Sequence, residues 1–351
     1  MVKAAYLGHS RSVDRDDANA PRWRPGTRAG HYESWFQRAN HPSRPEAFWI
    51  RHTLFAPKGR PEAAVGELWA VHFAPDRTTA VKEVHPLAAC RFAKQGLDVR
   101  IGAARLSDGK LSGGATLGDH RIEWDLRWSK ADRPLLLLPE RLYSGPFPKA
   151  KALVPAPNAR YEGELRIDGE RLEVGGWPGS HNHNWGTKHT DEYAWGQVAG
   201  FDEAPEAFLE LSTARLRLGP VRTPWLTPLV LRLDGVEHRL SGVLRAALRN
   251  RGHYDQASLR WRFSASGGGA QVEGVIDASA EQFVGLPYDN PPGGRKICLN
   301  TKVARCVLDV RRAGRSRRLR STRAAFEILS DEAHPRIPLL DAPSWDTLGP
   351  S

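Results

Sequence analysis

The chain has 351 residues, of which 40% are hydrophobic and 26% are charged, with a formal net charge of +11. This composition excludes a disordered chain, and the length suits two ordinary domains or one large one. The excess charge comes largely from arginine, whereas nucleic-acid binding favours clustered charge interleaved with exposed aromatic side chains. We therefore expect no nucleic-acid partner.

The cellular compartment is predicted from what the sequence lacks. Three cysteines, Cys90, Cys298 and Cys306, contain no CxxC spacing and imply no disulfide framework, which fits a reducing compartment. No apolar run approaches the ~20 residues of a transmembrane helix, and the first residues lack the apolar core of a signal peptide. We expect a cytoplasmic protein.

The predicted elements begin with a polar, loosely ordered segment over residues 1–30. His31–Asn40 follows as a candidate short helix. Strand-like sequence then dominates, and Asp168-Gly169 predicts a tight hairpin turn because this pair supplies the positive φ such a turn needs. The predicted strands of the first half cover residues 47–55, 66–73, 78–84, 97–101, 120–128, 164–167 and 171–174.

The second half repeats this pattern, with glycines marking its turns. Its predicted strands cover residues 195–199, 207–218, 229–233, 238–244, 257–265, 270–278, 301–311 and 318–329. Roughly eight strands per half, spaced by about ten residues, predict an all-β fold of two antiparallel barrels or sandwiches. We place an N-terminal barrel at residues 31–187, a C-terminal barrel at residues 188–335 and a tail at residues 336–351.

Tryptophans lie on many of these strands. An eight-stranded barrel has an interior just wide enough for one small ligand. The strand-borne tryptophans expected to line such interiors are Trp49, Trp69, Trp124, Trp128, Trp195 and Trp261.

The densest cluster of histidine, asparagine and tryptophan lies near the middle of the chain. Side chains on a strand alternate between faces. His181, His183 and Trp185 should therefore share one face. The intervening Asn182 and Asn184 should share the other. Three large amphipathic side chains on one face either line a cavity or bind a metal, and the rest of the chain favours the cavity.

Metal binding is the rival interpretation of this cluster. His181 and His183 have the spacing of two zinc ligands on one strand face, and His189 is a candidate third ligand. The nearby carboxylates follow no known ligand pattern. Our preferred interpretation therefore has no metal and no cofactor, and a His-ligated metal-dependent enzyme is kept as a second alternative.

Three motifs occur in order along the chain: His31–Phe36, the His183-Asn184-Trp185-Gly186 box, and Trp195-Gly196. Together they resemble motifs of the two-lipocalin proteins related to carotenoid 1,2-hydratase (hydroxyneurosporene synthase) and tocopherol cyclase. A further box, residues 288–302, resembles one found in bacterial members. The resemblance covers about residues 31–330.

The resemblance implies two lipocalin-like barrels side by side, with an apolar ligand pocket in or between them. Family activities include adding water across an isoprenoid double bond, cyclising a prenylated phenol and templating a pericyclic cyclisation. Family enzymes often carry Asp directly before the matched histidine, where this chain has Asn182. Because Asn cannot act as an acid, this position favours a non-catalytic carrier, whereas His183 and Glu33 favour an enzyme.

Hydration or cyclisation of an alkene needs a proton donor, an apolar cavity and a group that stabilises a carbocation. The candidate catalytic residues are His183, Asp191 and Glu33. The candidate ligand-binding residues are Trp185, Trp195, Asn184, Trp35, Tyr32, Gln197 and Arg295. His183 is expected to act mainly through hydrogen bonds, and its replacement should matter more than replacement of His181 or His189.

The sequence thus predicts a protein that binds an apolar or amphiphilic small molecule of isoprenoid, carotenoid or polyketide type. Cofactor-independent hydration or cyclisation of that molecule and its non-catalytic transport both stay open. The basic run from Arg311 to Arg320 predicts a solvated hairpin turn, and is compatible with transient contact with a membrane surface. The oligomeric state stays open.

Overall fold

The structure, a computed structural model, describes residues 15–129 and 132–348, which form mainly two large antiparallel β-sheets. The N-terminal half supplies the first sheet. Its strands are β1 (His31–Asn40), β2 (Ala47–Ala56), β3 (Val65–Phe73), β4 (Thr78–Pro86), β5 (Cys90–Phe92), β6 (Asp98–Ile101), β7 (Ala104–Ser107), β8 (Lys110–Leu117), β9 (His120–Ser129), β10 (Leu135–Leu136), β11 (Ala150–Ile167) and β12 (Glu170–Gly186).

The first sheet closes almost completely into a barrel. Its strands follow the order β4-β3-β2-β1-β12-β11-β9-β8-β7-β6-β5, with β10 paired to β11. β4, at one end of this order, packs against β8 and β9 near the other end. A strongly twisted sheet of this many strands tends to curl back on itself in this way.

The C-terminal half forms the second sheet. Its strands are β13 (Glu192–Phe201), β14 (Ala204–Arg215), β15 (Arg217–Leu218), β16 (Val221–Arg222), β17 (Leu229–Leu233), β18 (Val236–Arg239), β19 (Arg251–Asp255), β20 (Arg260–Gly267), β21 (Ala270–Asp277), β22 (Val284–Asp289), β23 (Arg295–Arg312) and β24 (Arg315–Ser330). The order is β18-β17-β14-β13-β24-β23-β21-β20-β19, with β22 on β23, while β15 and β16 form a separate hairpin. The division predicted between residues 187 and 188 falls in the connection from β12 to β13.

Helices are few and short. The α-helices are α1 (Arg15–Asn19), α2 (Arg141–Ser144) and α3 (Val243–Leu248), and the 3-10 helices are Pro61–Ala63, Leu87–Ala89, Ala280–Gln282 and Trp345–Leu348. Within the described ranges, none of these helices is long and apolar enough to cross a membrane. The predicted all-β fold of two barrels is confirmed.

The predicted short helix at His31–Asn40 is wrong, because this segment is strand β1, paired with β2 and β12. All ten of its residues are buried. Trp35 belongs to the core of the first barrel, whereas Phe36 on the opposite face belongs to an apolar cluster between the barrels. A strand buried on both faces lacks the alternation of apolar and polar residues by which strands are identified.

Two hairpin turns were predicted correctly. Asp168 and Gly169 connect β11 to β12 with φ values of 52° and 87°, as the Asp-Gly pair predicts. Ala313 and Gly314 connect β23 to β24 with φ values of 48° and 75°. The basic run at residues 311–320 therefore spans the hairpin turn and the adjoining ends of β23 and β24.

The interiors of both barrels are filled by side chains. The core of the first barrel includes Trp35, Phe48, Trp124, Trp128, Tyr161 and Trp177. The core of the second includes Phe201, Trp261, Phe263, Phe283 and Phe326. A third apolar cluster lies between the barrels and includes Phe36, Trp49, Trp69 and Tyr288, with Trp195 packed against it. Three of the six strand-borne tryptophans therefore lie between the barrels.

Segments outside the two barrels pack back on to the first one. At the N-terminal end, the indole N–H of Trp35 donates a hydrogen bond of 3.0 Å to the carbonyl oxygen of Asn19. At the C-terminal end, Trp345 stacks on Phe55 with ring centroids 6.2 Å apart. Residues 1–14 of the segment predicted to be loosely ordered lie outside the described residues.

Candidate active site between the barrels

An apolar cavity of about 220 Å³ lies between the two barrels. Strands β1, β2 and β12 of the first barrel and β13 and β14 of the second contribute to its walls. Its apolar lining includes Phe36, Trp49, Leu142, Phe147, Trp195 and Leu226. Its polar lining includes Tyr32, Arg51, Asn182, Asn184, Glu210 and Tyr288. Small-molecule pockets typically combine such apolar walls with a few placed polar groups.

The two faces of β12 meet different parts of the molecule, as strand alternation predicts. Asn182 and Asn184 line the cavity. On the other face, one ring nitrogen each of His181 and His183 lies 2.7 Å from an oxygen atom of residues 18–19. The cavity therefore adjoins the carboxamide face of β12, and the N-terminal segment of the chain covers the histidine face.

His183 is fully buried, and both of its ring nitrogens are engaged. Nε2 lies 2.8 Å from Oε1 of Glu33, and Nδ1 lies 2.7 Å from the carbonyl oxygen of Ala18. Both neighbouring oxygen atoms can accept a hydrogen bond, so each ring nitrogen of His183 faces an acceptor of the protein itself. His183 borders the cavity but, in this arrangement, has no nitrogen left for a ligand.

Glu33 fastens the N-terminal segment to β1. Its oxygens accept the backbone N–H groups of Arg22 at 2.7 Å and Trp23 at 2.9 Å, and Oε2 lies 3.1 Å from Nε2 of His31. Burial alone would raise the pKa of Glu33, but hydrogen bonds from His183 and His31 outweigh it and lower the pKa to about 2. Glu33 is therefore a carboxylate at neutral pH and holds no proton to give.

Trp35 and Trp185 lie beside His183 rather than in the lining of the cavity. Their ring centroids lie 4.9 and 4.8 Å from that of His183. The guanidinium of Arg22 lies over the Trp185 ring at 5.2 Å. These contacts pack the N-terminal segment against β12. Of the predicted ligand-binding residues, those that line the cavity are Tyr32, Asn184 and Trp195.

The three histidines considered as metal ligands have separate partners. Nδ1 of His181 lies 2.6 Å from Nε2 of Gln37. The ring of His189 stacks on Tyr32 at 4.0 Å, and its Nε2 lies 3.2 Å from the carbonyl oxygen of Asp289. Across residues 15–129 and 132–348, no group of three or more His, Cys, Asp or Glu side chains is arranged to hold a metal ion.

Glu210 on β14 is a buried acid that sequence reasoning missed. It lines the cavity and is 2% exposed. Its Oε1 accepts the indole N–H of Trp195 and its Oε2 accepts an N–H of Gln197, each at 2.8 Å. Burial raises the pKa of Glu210 to about 7, against the opposing effect of these two hydrogen bonds and of the Arg38 guanidinium. The carboxyl group therefore keeps its proton to a much higher pH than an ordinary glutamate does.

Gln197 links Glu210 to the histidine box. Its Nε2 also donates to Oδ1 of Asn182 at 2.7 Å. Its Oε1 accepts from Oγ of Ser180 at 2.6 Å and from Nε of Arg38 at 2.8 Å. Both N–H groups and the oxygen of this amide are thus occupied, which fixes its orientation. Gln197 therefore positions the Glu210 carboxyl group from the neighbouring strand.

The glycines that end the two motifs allow close packing. A Cβ atom at Gly186 would lie 2.2 Å from the carbonyl oxygen of Lys149. A Cβ atom at Gly196 would lie 2.7 Å from the side chain of Ile276 and 2.9 Å from that of Trp261. Both distances are shorter than van der Waals contact, so these motif positions serve packing between strands.

Asp191 and Arg295 border separate depressions of the surface rather than the cavity. Asp191 pairs with Lys188 and accepts the backbone N–H of Arg217 at 2.8 Å. Burial would raise the pKa of Asp191, but these two contacts lower it. Arg295 forms an ion pair of 3.0 Å with Asp289. The structure therefore does not bring Asp191 and Arg295 together with the cavity residues.

At the level of sequence, the chain matches no family model. An uncharacterised protein found in two strains of Mycobacterium tuberculosis is 26% identical over 298 residues, which is 84% of this chain and 85% of the relative.

Solved structures share the fold at low sequence identity. An AttH-like protein of Nitrosomonas europaea is 13% identical, with a TM-score of 0.54 over 87% of this chain and 93% of that one. Kievitone hydratase of Nectria haematococca is 11% identical, with a TM-score of 0.54 over 91% and 97%. The protein CghA is 13% identical, with a TM-score of 0.50 over 92% and 97%. The chain therefore has the lipocalin-like two-barrel fold of these proteins.

Proposed function

We propose that this protein adds water to, or cyclises, an apolar molecule that carries an alkene, with Glu210 as the proton donor. The observation that carries the proposal is a buried carboxyl group with a pKa of about 7 in the wall of an apolar cavity. A general acid works best when its pKa lies near the operating pH. Kievitone hydratase has the same fold, and its name as a hydratase supports the same class of reaction for this protein.

The reaction begins with proton transfer from Glu210 to an alkene carbon, which leaves a carbocation in the cavity. The rings of Trp49 and Trp195 border the same space, and aromatic faces attract cations by about 0.5–2 kcal/mol. In hydration, water adds to the cation and returns a proton to the Glu210 carboxylate. In cyclisation, an internal oxygen or second double bond attacks instead, and loss of a proton regenerates the acid.

The hydrogen bonds to Glu210 set its strength as an acid. The N–H groups of Trp195 and Gln197 stabilise the carboxylate that forms after proton transfer. In the resembling family an Asp often occupies the position of Asn182. Here Asn182 instead accepts a hydrogen bond from Gln197. In this proposal Glu210 supplies the acid that Asn182 lacks.

The resemblance of the motifs to carotenoid 1,2-hydratase and tocopherol cyclase supports an isoprenoid substrate. The mainly apolar lining of the cavity agrees with a hydrocarbon chain. The test is to incubate the protein with an organic extract of the source cells in H₂¹⁸O and to search for labelled products by mass spectrometry. For hydration, we expect a product with one added ¹⁸O from the wild type and none from Glu210→Gln.

Cyclisation adds no oxygen from water, so the same incubation is repeated in D₂O, where the transferred proton labels carbon. Equal labelling by Glu210→Gln and wild type in both solvents would overturn the role of Glu210. A ligand that copurifies with the wild type but acquires no label in either solvent would identify a carrier instead.

A further inference from the structure

Arg51 on β2 is a buried cation in the wall of the cavity. Its side chain lines the cavity, and the residue is 5% exposed. Its Nη2 donates a hydrogen bond of 2.7 Å to Oγ of Ser34, which fixes the guanidinium. Its Nε is buried and has no hydrogen-bond partner among the residues that the structure describes. Burying a donor without a partner is costly, so this arrangement indicates a missing acceptor.

The carboxylates around Arg51 are already paired with other cations. Within the described part of the chain, no carboxylate oxygen lies in ion-pair range of Arg51. Glu67 pairs with Lys82 at 2.9 Å, and Glu327 pairs with Lys302 at 2.8 Å. These are the two carboxylates whose fields act on Arg51. Burial would lower the pKa of Arg51, but Tyr288 and these two carboxylates raise it from a distance. Among the described residues, the guanidinium therefore has no carboxylate in direct contact, and its place for one faces the cavity wall.

Further hydrogen-bond donors border the cavity with Arg51. The indole N–H of Trp49 is buried and finds no partner within residues 15–129 and 132–348. The guanidinium of Arg51 lies 5.9 Å from the Trp49 ring. The guanidinium also lies over the ring of Tyr288 at 4.5 Å. Tyr32 and Tyr288 both line the cavity, and burial raises the pKa of each, so both hydroxyls stay protonated.

We infer that the molecule bound in this cavity carries a carboxylate, which Arg51 receives as its counterion beside the N–H of Trp49. Guanidinium groups bind carboxylates through charge-assisted hydrogen bonds, which strengthen as water is excluded. Lys151, a second basic side chain of the lining, already donates to the carbonyl oxygen of Pro148 at 2.7 Å. One guanidinium beside neutral donors fits one negative charge better than a diphosphate. The inference rests on the proposed function, since it defines the substrate of the same cavity as an alkene with an acid group.

The two ends of such a substrate would meet different chemistry. Its carboxylate pairs with Arg51, while its alkene lies near the Glu210 acid, and both residues border one cavity. Arg51 would then select and orient the substrate. We assign Arg51 to binding and keep proton transfer for Glu210.

The test compares two ligands that share a ten-carbon isoprenoid chain, geranic acid and geraniol. Binding is measured by calorimetry at about pH 8, where the acid is ionised. We expect the wild type to bind geranic acid at least about tenfold more tightly than geraniol. Arg51→Met should lose this preference while still binding geraniol. Arg51→Lys should keep part of the preference, because it retains the charge without the planar fork.

Two matched variants control for charge elsewhere. Arg295→Met removes an arginine outside the cavity and should leave the preference unchanged. Lys151→Met removes another cation from the cavity lining, so loss of the preference in this variant alone would overturn the assignment to Arg51. Retention of the full preference by Arg51→Met, with geraniol affinity unchanged, would also overturn it.

The outcome is separable from that of the proposed function. Glu210→Gln should still prefer geranic acid, because the counterion of the carboxylate is intact. If this preference is present and no isotope is incorporated by the wild type, only the catalytic proposal fails. If label is incorporated but the wild type binds acid and alcohol alike, only the assignment of the carboxylate fails.

Discussion

Trp195 on β13 donates its indole N–H to the carboxyl group of Glu210 on β14 at 2.8 Å. Trp195 belongs to a motif that is recognisable in the sequence, whereas Glu210 lies in an ordinary strand. The register between these strands places Gln197 directly opposite Glu210 and Trp195 two residues away on the same face. The Trp195-Gly196 motif thus positions Glu210, which belongs to no recognisable motif.

Replacement of Glu210 by Gln should change how stability depends on pH. The pKa of Glu210 in the folded protein is raised to about 7 from 4.5, so between these values the folded state holds a proton that the unfolded state has released. Wild-type stability should therefore fall by about 3 kcal/mol relative to Glu210→Gln as pH rises through this window. Urea unfolding at several pH values measures the difference, and Glu206→Gln on the exposed part of the same strand is the control.

Trp195→Phe should make Glu210 a weaker acid. The substitution removes an N–H donor that stabilises the charged carboxylate, so the pKa of Glu210 should rise by roughly one unit. The measurement is the midpoint of the Glu210-linked change in stability or activity with pH. Trp225→Phe, at a tryptophan outside the cavity, should leave this midpoint in place. A downward movement in Trp195→Phe would show that the indole does not stabilise the anion.

Glu33→Gln should destabilise the attachment of the N-terminal segment. The folded-state pKa of Glu33 is about 2, below its ordinary value of 4.5, so its contribution is fully present above about pH 4.5 and is lost as pH falls towards 2. At neutral pH this contribution is about 3 kcal/mol. Urea unfolding at pH 7 and amide exchange at Arg22 and Trp23 should both report the loss. Glu62→Gln, an exposed position, should match the wild type.

His181→Ala should cost more stability than the sequence indicated. His181 is fully buried, and its ring lies 2.6 Å from Nε2 of Gln37 and 2.7 Å from Oδ1 of Asn19. Leaving these two amides without a partner should cost about 1–3 kcal/mol. His183→Ala should cost more, about 3 kcal/mol, since the hydrogen bond that it removes from the buried Glu33 carboxylate is charge-assisted, while the other donors to that carboxylate remain. Urea unfolding of both variants tests this order, and equal losses would contradict the larger role of the contact between His183 and Glu33.

Gly186→Ala tests whether the box serves packing. A methyl group there would meet the carbonyl oxygen of Lys149 at 2.2 Å, so β11 and β12 would have to separate. We expect a loss of about 1–3 kcal/mol in unfolding free energy, as for other overpacked positions. Gly175→Ala, on the same strand with open space around it, is the control. If Gly186→Ala were as stable as the wild type, the backbone at Lys149 would have moved away from the added methyl group without a measurable cost in free energy.

Local patterns in the sequence predicted much of the fold. The alternation of β9 matches its burial, with Ile122, Trp124, Leu126 and Trp128 directed inwards. The Asp168-Gly169 turn follows from the backbone preferences of two residues. Strand β1 was missed because it contacts a barrel core on one face and the second barrel on the other, which removes the alternation.

The candidate site was harder to predict because it depends on contacts between distant strands. The alternation of His181, His183 and Asn182 was correct, but nothing local shows that the N-terminal segment covers the histidine face. Glu210 is important because it is buried and accepts hydrogen bonds from side chains of β13. Arg51 is important because lysines already pair with the carboxylates near it. Neither property is encoded within a few residues of the side chain concerned.

The most direct measurement is the titration of Glu210 itself. Carboxyl ¹³C resonances of glutamate-labelled protein are followed from about pH 4 to about pH 9 in the wild type and in Glu210→Gln. We expect one resonance to be absent from the variant, to titrate near pH 7 in the wild type and to shift when geraniol is bound. The account would be contradicted if the resonance that the variant lacks titrated near the ordinary pKa of glutamate in the wild type and did not shift when geraniol was bound. Glu210 would then not be a cavity acid suited to proton transfer.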